Sequence, residues 1–272
     1  MLSPEKIKIT DADYGLTWDL SRCLDCSFVF ANPCPEEKFI TSLYSEVKDP
    51  AYEVEALGRR QTFRRLLHRL EKLRPQRGYL LDVGAATGLF LDEAKKRGWQ
   101  VLGIEPSRWA VEIAQKQGLK VFQGSLEDFK IDDQRYDVIT LIDVLEHTPN
   151  PRKIVEKVQK LLKPQGLILI VTPDLESFLA KLTGRYWWHY RPAHLVFFNR
   201  QSLKKLLALT HFEVLSWKRY SWHFSLSYLF SRLPFTFWLL HKPFLSSLWS
   251  RIQLKLALGD SFEVYAQKKE RA

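Results

Sequence analysis

Between Tyr79 and Thr172 five short apolar runs alternate with amphipathic helical stretches, and this rhythm constrains the fold more than any other feature of the chain. The runs are Tyr79–Val83, Gln100–Ile104, Leu119–Phe122, Tyr136–Ile142 and Leu167–Thr172. The intervening stretches predict helices over Leu89–Arg97, from an N-capping Ser107 to Gln117, and over Pro151–Lys163. Leu167–Thr172 is apolar almost throughout, as a strand is when both faces of its sheet are covered. Strands and helices in this order imply an α/β, doubly wound, parallel sheet.

Upstream, the spacing predicts a helix over Glu53–Arg74. Phe63, Leu66, Leu67, Leu70 and Leu73 share one face, and Arg59, Arg60, Arg64, Arg65, Arg69 and Lys72 form a basic stripe on the other. Residues 1–50 look irregular, with Pro4, Pro33, Pro35 and Pro50 as breakers, and residues 51–272 read as the main domain. Beyond Thr172 come an aromatic, histidine-bearing loop at 174–200, a helix capped by Ser202 and running to Leu209, and a strand at Phe212–Trp217. An aromatic-rich insertion at 221–258 precedes a last alternating strand, Ser261–Gln267.

The composition excludes several classes. Of 272 residues, 46% are hydrophobic and 26% charged, which rules out disorder. Cys23, Cys26 and Cys34 are odd in number and clustered, so no disulfide framework is expected and a reducing, cytoplasmic setting is. Met1–Thr10 carries charges and no apolar core of a signal peptide, and no uncharged run approaches the roughly 18 residues of a membrane span. The net charge of +10 and nine Trp point to an anionic partner or surface.

The informative turn is Leu81-Asp82-Val83-Gly84-Ala85-Ala86-Thr87-Gly88, where a ligand must approach the backbone closely. A dinucleotide fingerprint is not met, because Ala86 takes the second glycine position and Gly88 follows Gly84 by four. Asp82 at the strand end opposes a pyrophosphate and suits a cationic ligand. Glu105, at the end of the next strand, is placed to accept two ribose hydroxyls.

With Gly103-Ile104-Glu105-Pro106-Ser107, Asp143-Val144-Leu145-Glu146-His147 and Leu162-Lys163-Pro164-Gln165-Gly166, this turn resembles the class I S-adenosylmethionine-dependent methyltransferases. The resemblance covers roughly residues 55–218 and 261–268. It implies a Rossmann-like, mostly parallel seven-stranded sheet with an antiparallel last strand, S-adenosyl-L-methionine as cofactor, and methyl transfer as activity. It places Asp82, Gly84, Ala85 and Gly88 at the methionine end and Glu105 at the ribose. Pro106, Ser125 and Leu126 fall at the adenine, and Asp143 beside the ammonium. Ala86 replaces a common glycine, and Ser125 stands where an acid is frequent.

For the acceptor side, Glu146-His147 resembles a turn of the ubiquinone-pathway O-methyltransferases, and Gly184–Leu195 resembles an aromatic His-Leu loop of bacterial methyltransferases. The candidate catalytic groups are therefore His194, preferred to His189, with His147 and Glu146. A divalent-metal pattern, acid-x-x-Glu-His-x-x-His, is matched at three positions and broken by Asn150, so no metal is expected. Cys23-Leu24-Asp25-Cys26 resembles one knuckle of a zinc ribbon whose other knuckle is absent, so it reads as vestigial.

The expected acceptor is a small molecule, a glycan or a lipid-linked compound. RNA methylation is an alternative motivated by the charge and the basic stripe, and a non-catalytic cofactor-binding scaffold is another. Nucleic acid is disfavoured, since no base-flipping tetrapeptide or RNA-binding motif is present. In 221–258, Pro234 and Pro243 predict short helices, and aromatic and Leu residues beside Arg232, Lys242, Arg251 and Lys255 suggest contact with an anionic membrane, hence a peripheral location.

Overall fold

A computed structural model describes residues 15–130, 135–231 and 249–269. The chain opens with a ribbon, β1 (Leu20–Arg22) and β2 (Val29–Ala31), then α1 (Glu37–Ser45), α2 (Pro50–Val54) and α3 (Ala56–Leu73). The alternating part follows as β3 (Tyr79–Val83), α4 (Leu89–Lys96), β4 (Gln100–Glu105), α5 (Arg108–Lys116), β5 (Val121–Gln123), β6 (Tyr136–Ile142), α6 (Pro151–Leu161) and β7 (Leu162–Pro173). Then come α7 (Phe178–Thr183), β8 (Val196–Phe197), α8 (Arg200–Leu209), β9 (Phe212–Arg219), β10 (Trp222–Ser225), α9 (Leu226–Ser231), β11 (Gln253–Leu256) and β12 (Ser261–Lys268).

Seven strands form the main sheet in the order β5-β4-β3-β6-β7-β12-β9. The β3–β7 strands pair in parallel, and β12 runs antiparallel to both neighbours. The doubly wound sheet with one reversed strand is therefore present. Alternation along the strands divides the core: Leu81, Val83, Ile139 and Ile170 pack on the α6 and α8 side, while Leu80, Val138, Leu169 and Tyr265 pack on the α3 and α4 side.

Four expectations need correction. Residues 15–50 are structured: β2 pairs with β1 and with β8 of the acceptor-side loop, and α1 packs its Ile40 into the main core. The apolar alternation there is too short to stand out among the prolines. The cap of α8 is Asn199, not Ser202; the two exchange side chain for backbone N–H in a reciprocal capping box.

The basic stripe of α3 is mostly turned onto the protein. Arg60 and Arg64 bind Glu93 at 2.9 and 2.7 Å, and Arg69 binds Glu263 at 2.6 Å with Arg65 nearby at 3.8 Å. These cations neutralise buried carboxylates, although Arg64 keeps about half of its side chain exposed.

The insertion is also more than short helices. Its two ends pair as the antiparallel ribbon β10–β11, with Trp222 opposite Leu256 and Ser225 opposite Gln253, and only then does α9 begin. The ribbon lies on α3. Gly58 allows the close approach of the His223 backbone, Thr62 accepts the His223 N–H at 3.0 Å, and buried Glu55 accepts from Ser225 Oγ at 2.6 Å. Pro234, Pro243, Arg232 and Lys242 lie outside the described residues, and with them most of the proposed membrane face.

Candidate active site

Two adjoining cavities open at the carboxyl ends of the parallel strands, where ligands bind in open α/β sheets. The first, of about 270 Å³, is lined by Gly84, Glu105, Pro106, Ser125, Leu126 and Asp143, with Ile40 and Tyr44 of α1 on its far wall. The second, of about 370 Å³, is lined by Asp82, Gly84, Ala85, Asp143, Glu146 and His147, and then by Arg59, Trp188, His189, Arg191, Trp222, Phe224 and Asp260. Gly84, Ala86, Asp143, His147, Tyr44 and Tyr52 border both.

The glycine turn is tied to β4: the N–H groups of Gly84 and Ala85 both donate to the Ile104 carbonyl, at 2.8 and 3.0 Å. Gly84 has φ +74°, and a Cβ there would lie 2.7 Å from Val144 Cγ2. Gly88 behaves differently from its expected role. It caps α4 at φ +84° with its open side against Ala114 and Leu119, and it lines neither cavity. It closes helix on strand and does not contact the ligand space.

Glu105 is buried, and burial raises its carboxyl pKa while the N–H groups of Ser107 and Ala86 oppose the shift. Ser125 Oγ donates to Asp128 Oδ2 at 2.7 Å, which fixes the turn beside buried Leu126. Asp82 accepts from Thr140 Oγ1 at 2.5 Å, and burial pushes its pKa up to about 7. Asp143 sits at φ +54°, its side chain makes no hydrogen bond among the described residues, and burial raises it to about 6.

The acceptor side rearranges the expected catalytic set. Glu146 is buried, accepts from Thr172 Oγ1 at 2.9 Å, and is pushed up to about 8 by burial and by Asp143. His147 borders both cavities; its Nδ1 lies 2.6 Å from the Tyr44 hydroxyl and 2.8 Å from the Ala193 carbonyl. Burial holds it neutral, down to about 3.

His194 lines neither cavity. It is fully buried, its Nε2 accepts from Arg191 Nε at 2.9 Å, and its ring packs between those of His147 and His189. The 2.7 Å bond from Leu195 N–H to the Glu146 carbonyl draws this part of the loop inward, so that His194, the expected base, lies behind the cavity wall. His189 lies on the cavity wall, with Nε2 3.2 Å from Asp260 Oδ2. Burial lowers its pKa and Asp260 opposes that shift.

Glu146, His147 and His194 bring potential ligand atoms within 4.8 Å of one another. The Arg191 guanidinium on His194 Nε2 repels a cation there. Asn150, at the broken position of the metal pattern, is the N-cap of α6.

Arg59, Tyr44, Tyr52 and Asp260 are site residues that sequence reasoning missed. Arg59 hides within the basic stripe, yet its Nε is buried without a hydrogen-bond partner and its guanidinium lies 3.9 Å over the Tyr52 ring. A cation and the Asp143 carboxylate thus face one cavity, which fits the opposite charges of an amino acid end. The buried Glu105 fits a diol, and among the described residues no Lys or Arg lines the first cavity, which fits a nucleoside without phosphate.

A sequence profile described as a methyltransferase domain matches residues 56–216. An uncharacterised protein of Methanocaldococcus jannaschii is 33% identical over 106 residues, 39% of this chain and 50% of that protein. The ubiquinone biosynthesis O-methyltransferase of Leptothrix cholodnii is 33% identical over 115 residues, 39% of this chain and 49% of that one. The chain spans about half the length of these curated relatives. A SAM-dependent methyltransferase structure from Thermotoga maritima superposes with a TM-score of 0.53 at 22% identity, over 80% of this chain and 92% of that one. That likeness is one of fold. With the profile spanning more than half of the sequence, the chain belongs to the methyltransferase domain family.

Proposed function

We propose that the protein binds S-adenosylmethionine across the two cavities and methylates a small-molecule, glycan or lipid-linked acceptor in the aromatic one. The observation that carries this reading is the convergence of Glu105, Asp143 and Arg59 on one continuous space. In this reading Glu105 accepts the ribose hydroxyls, Leu126 and Pro106 flank the base, Asp143 takes the ammonium and Arg59 the carboxylate. The cofactor, when bound, supplies an electrophilic methyl group on a sulfonium.

The chain's own contribution is then mainly placement. Trp188, Trp222 and Phe224 shape the acceptor compartment and exclude water. His189, steadied by Asp260, is the group on its wall able to take a proton from an acceptor hydroxyl. His147 stays neutral and hydrogen-bonds Tyr44, fastening α1 over the first cavity. A lipid-linked acceptor would bring the protein to the cytoplasmic side of a membrane as a peripheral enzyme.

Calorimetric titration tests the reading first: S-adenosylmethionine should bind and NAD should not. Transfer of label from a methyl-labelled cofactor into fractionated small-molecule, glycan and lipid extracts then separates the acceptor classes. Binding of NAD with no response to S-adenosylmethionine would overturn it.

A further inference from the structure

The loop that carries Trp188 and His189 into the acceptor cavity has a second, outward side. Ser177 caps α7 by accepting the Ala180 N–H, and Ala180 is buried beneath the helix. Phe178, Leu182 and Tyr186, spaced by four, are 75%, 68% and 67% exposed. Phe178 and Leu182 share one face of α7, and Tyr186 follows the turn at Gly184 (φ +53°); exposed apolar residues are normally scattered, and three large ones within nine positions call for a partner.

The surroundings select the partner. Lys181 and Arg185 are exposed between the three, and the Arg185 guanidinium lies 4.8 Å over the Tyr186 ring. From Ser177 to Asn199 the chain contains no Asp or Glu. Next along the chain, Trp187 is fully buried and anchors the loop, so the patch is held on a fixed base.

We propose that this face of residues 178–186 docks on the headgroup layer of an anionic lipid bilayer. Phe178, Leu182 and Tyr186 enter the acyl boundary, and Lys181 and Arg185 meet lipid phosphates, the composition that interfacial helices use. Pairing with a second copy would cover the apolar groups but would bring Lys181 and Arg185 of both copies together, offset only by Asp174, which acts on Lys181, and by Glu176 at the edge, which favours the bilayer. Docking here places the acceptor cavity one loop-thickness from the membrane, through a surface distinct from the 221–258 insertion. The proposal does not depend on methyl transfer, and its test does not read activity.

The experiment is vesicle flotation with the full chain, using phosphatidylcholine containing about one quarter phosphatidylglycerol, beside phosphatidylcholine alone. The protein should float with the anionic vesicles at low salt and leave them as salt rises. F178S/L182S and K181E/R185E should each cut the bound fraction about tenfold. Their melting temperatures should stay unchanged, since all four side chains are exposed. The proposal fails if the wild type does not bind, or if both variants bind as well as it does. It also fails if sedimentation shows a dimer that F178S/L182S dissolves while vesicle binding persists.

Discussion

Glu105 reaches back over the first crossover to accept the N–H of Ala86 on Oε2, and its Oε1 accepts the N–H of Ser107, each at 2.8 Å. One carboxylate thus sets the glycine turn and the start of α5 at once. Glu105→Ala should weaken S-adenosylmethionine binding by about 1–3 kcal/mol, the usual result of stranding buried donors, as read by calorimetry. Ala86 is held at φ +46°, in the left-handed region. Ala86→Gly should therefore raise thermal stability, by about 0.5–1 kcal/mol.

Two arginines of α3 should respond in opposite ways. Arg69 faces Glu263, whose side chain is wholly buried. Arg69→Ala leaves that charge with only the more distant Arg65, at 3.8 Å, and should cost about 3 kcal/mol in chemical denaturation, with cofactor affinity per folded molecule little changed. Arg59 has no ion pair among the described residues. Arg59→Ala should leave the melting curve nearly in place and weaken S-adenosylmethionine about tenfold, the worth of one charge-assisted contact.

The two histidines of the loop should also separate. His189→Ala should lower kcat about 100-fold or more for a hydroxyl acceptor while the cofactor Kd stays put, and Asp260→Asn should move the same way with a shifted pH profile. His194→Ala should instead lower stability by about 2–4 kcal/mol, because it opens a hole between two packed rings. A turnover loss for His194→Ala with an unchanged melting temperature would reverse these assignments.

The buried carboxyl of Glu146 links stability to pH. Its pKa is raised in the fold, from an ordinary 4.5 to about 8. The folded state therefore holds a proton that the unfolded chain releases between these values. The stabilisation from this group is complete below about pH 4.5 and is lost as pH rises through about 8. Glu146→Gln mimics the protonated form. It should melt later than the wild type above pH 8, by about 1–3 kcal/mol, with the gap closing toward pH 5. Parallel melting curves at every pH would show that Glu146 is ionised in the fold.

The sheet was legible because strands covered on both faces read as near-continuous apolar runs, as in Leu167–Val171, while the helices between them keep a 3.6-residue period. Glu105, Asp143 and the glycine turn were legible because they are local in sequence. What stayed hidden depends on distant partners. Arg59 and Arg69 look alike along the helix, and only Asp143's cavity and Glu263's burial tell them apart. His189 and His194 differ by one loop bond to the Glu146 carbonyl, which no spacing announces. Tyr44 reaches His147 across more than a hundred residues.

The ribbon of β10 and β11 fixes two points of the chain side by side, at Ser225 and Gln253, and rivets them to α3 through Glu55, Thr62 and the gap at Gly58. Strand β12 begins from that anchored platform, so its register does not depend on what is threaded between the two points. The arrangement acts as a socket. Segments of other lengths and sequences could be plugged in there, exchanging one acceptor specificity or one cellular address for another, while the sheet and cofactor turn stay untouched.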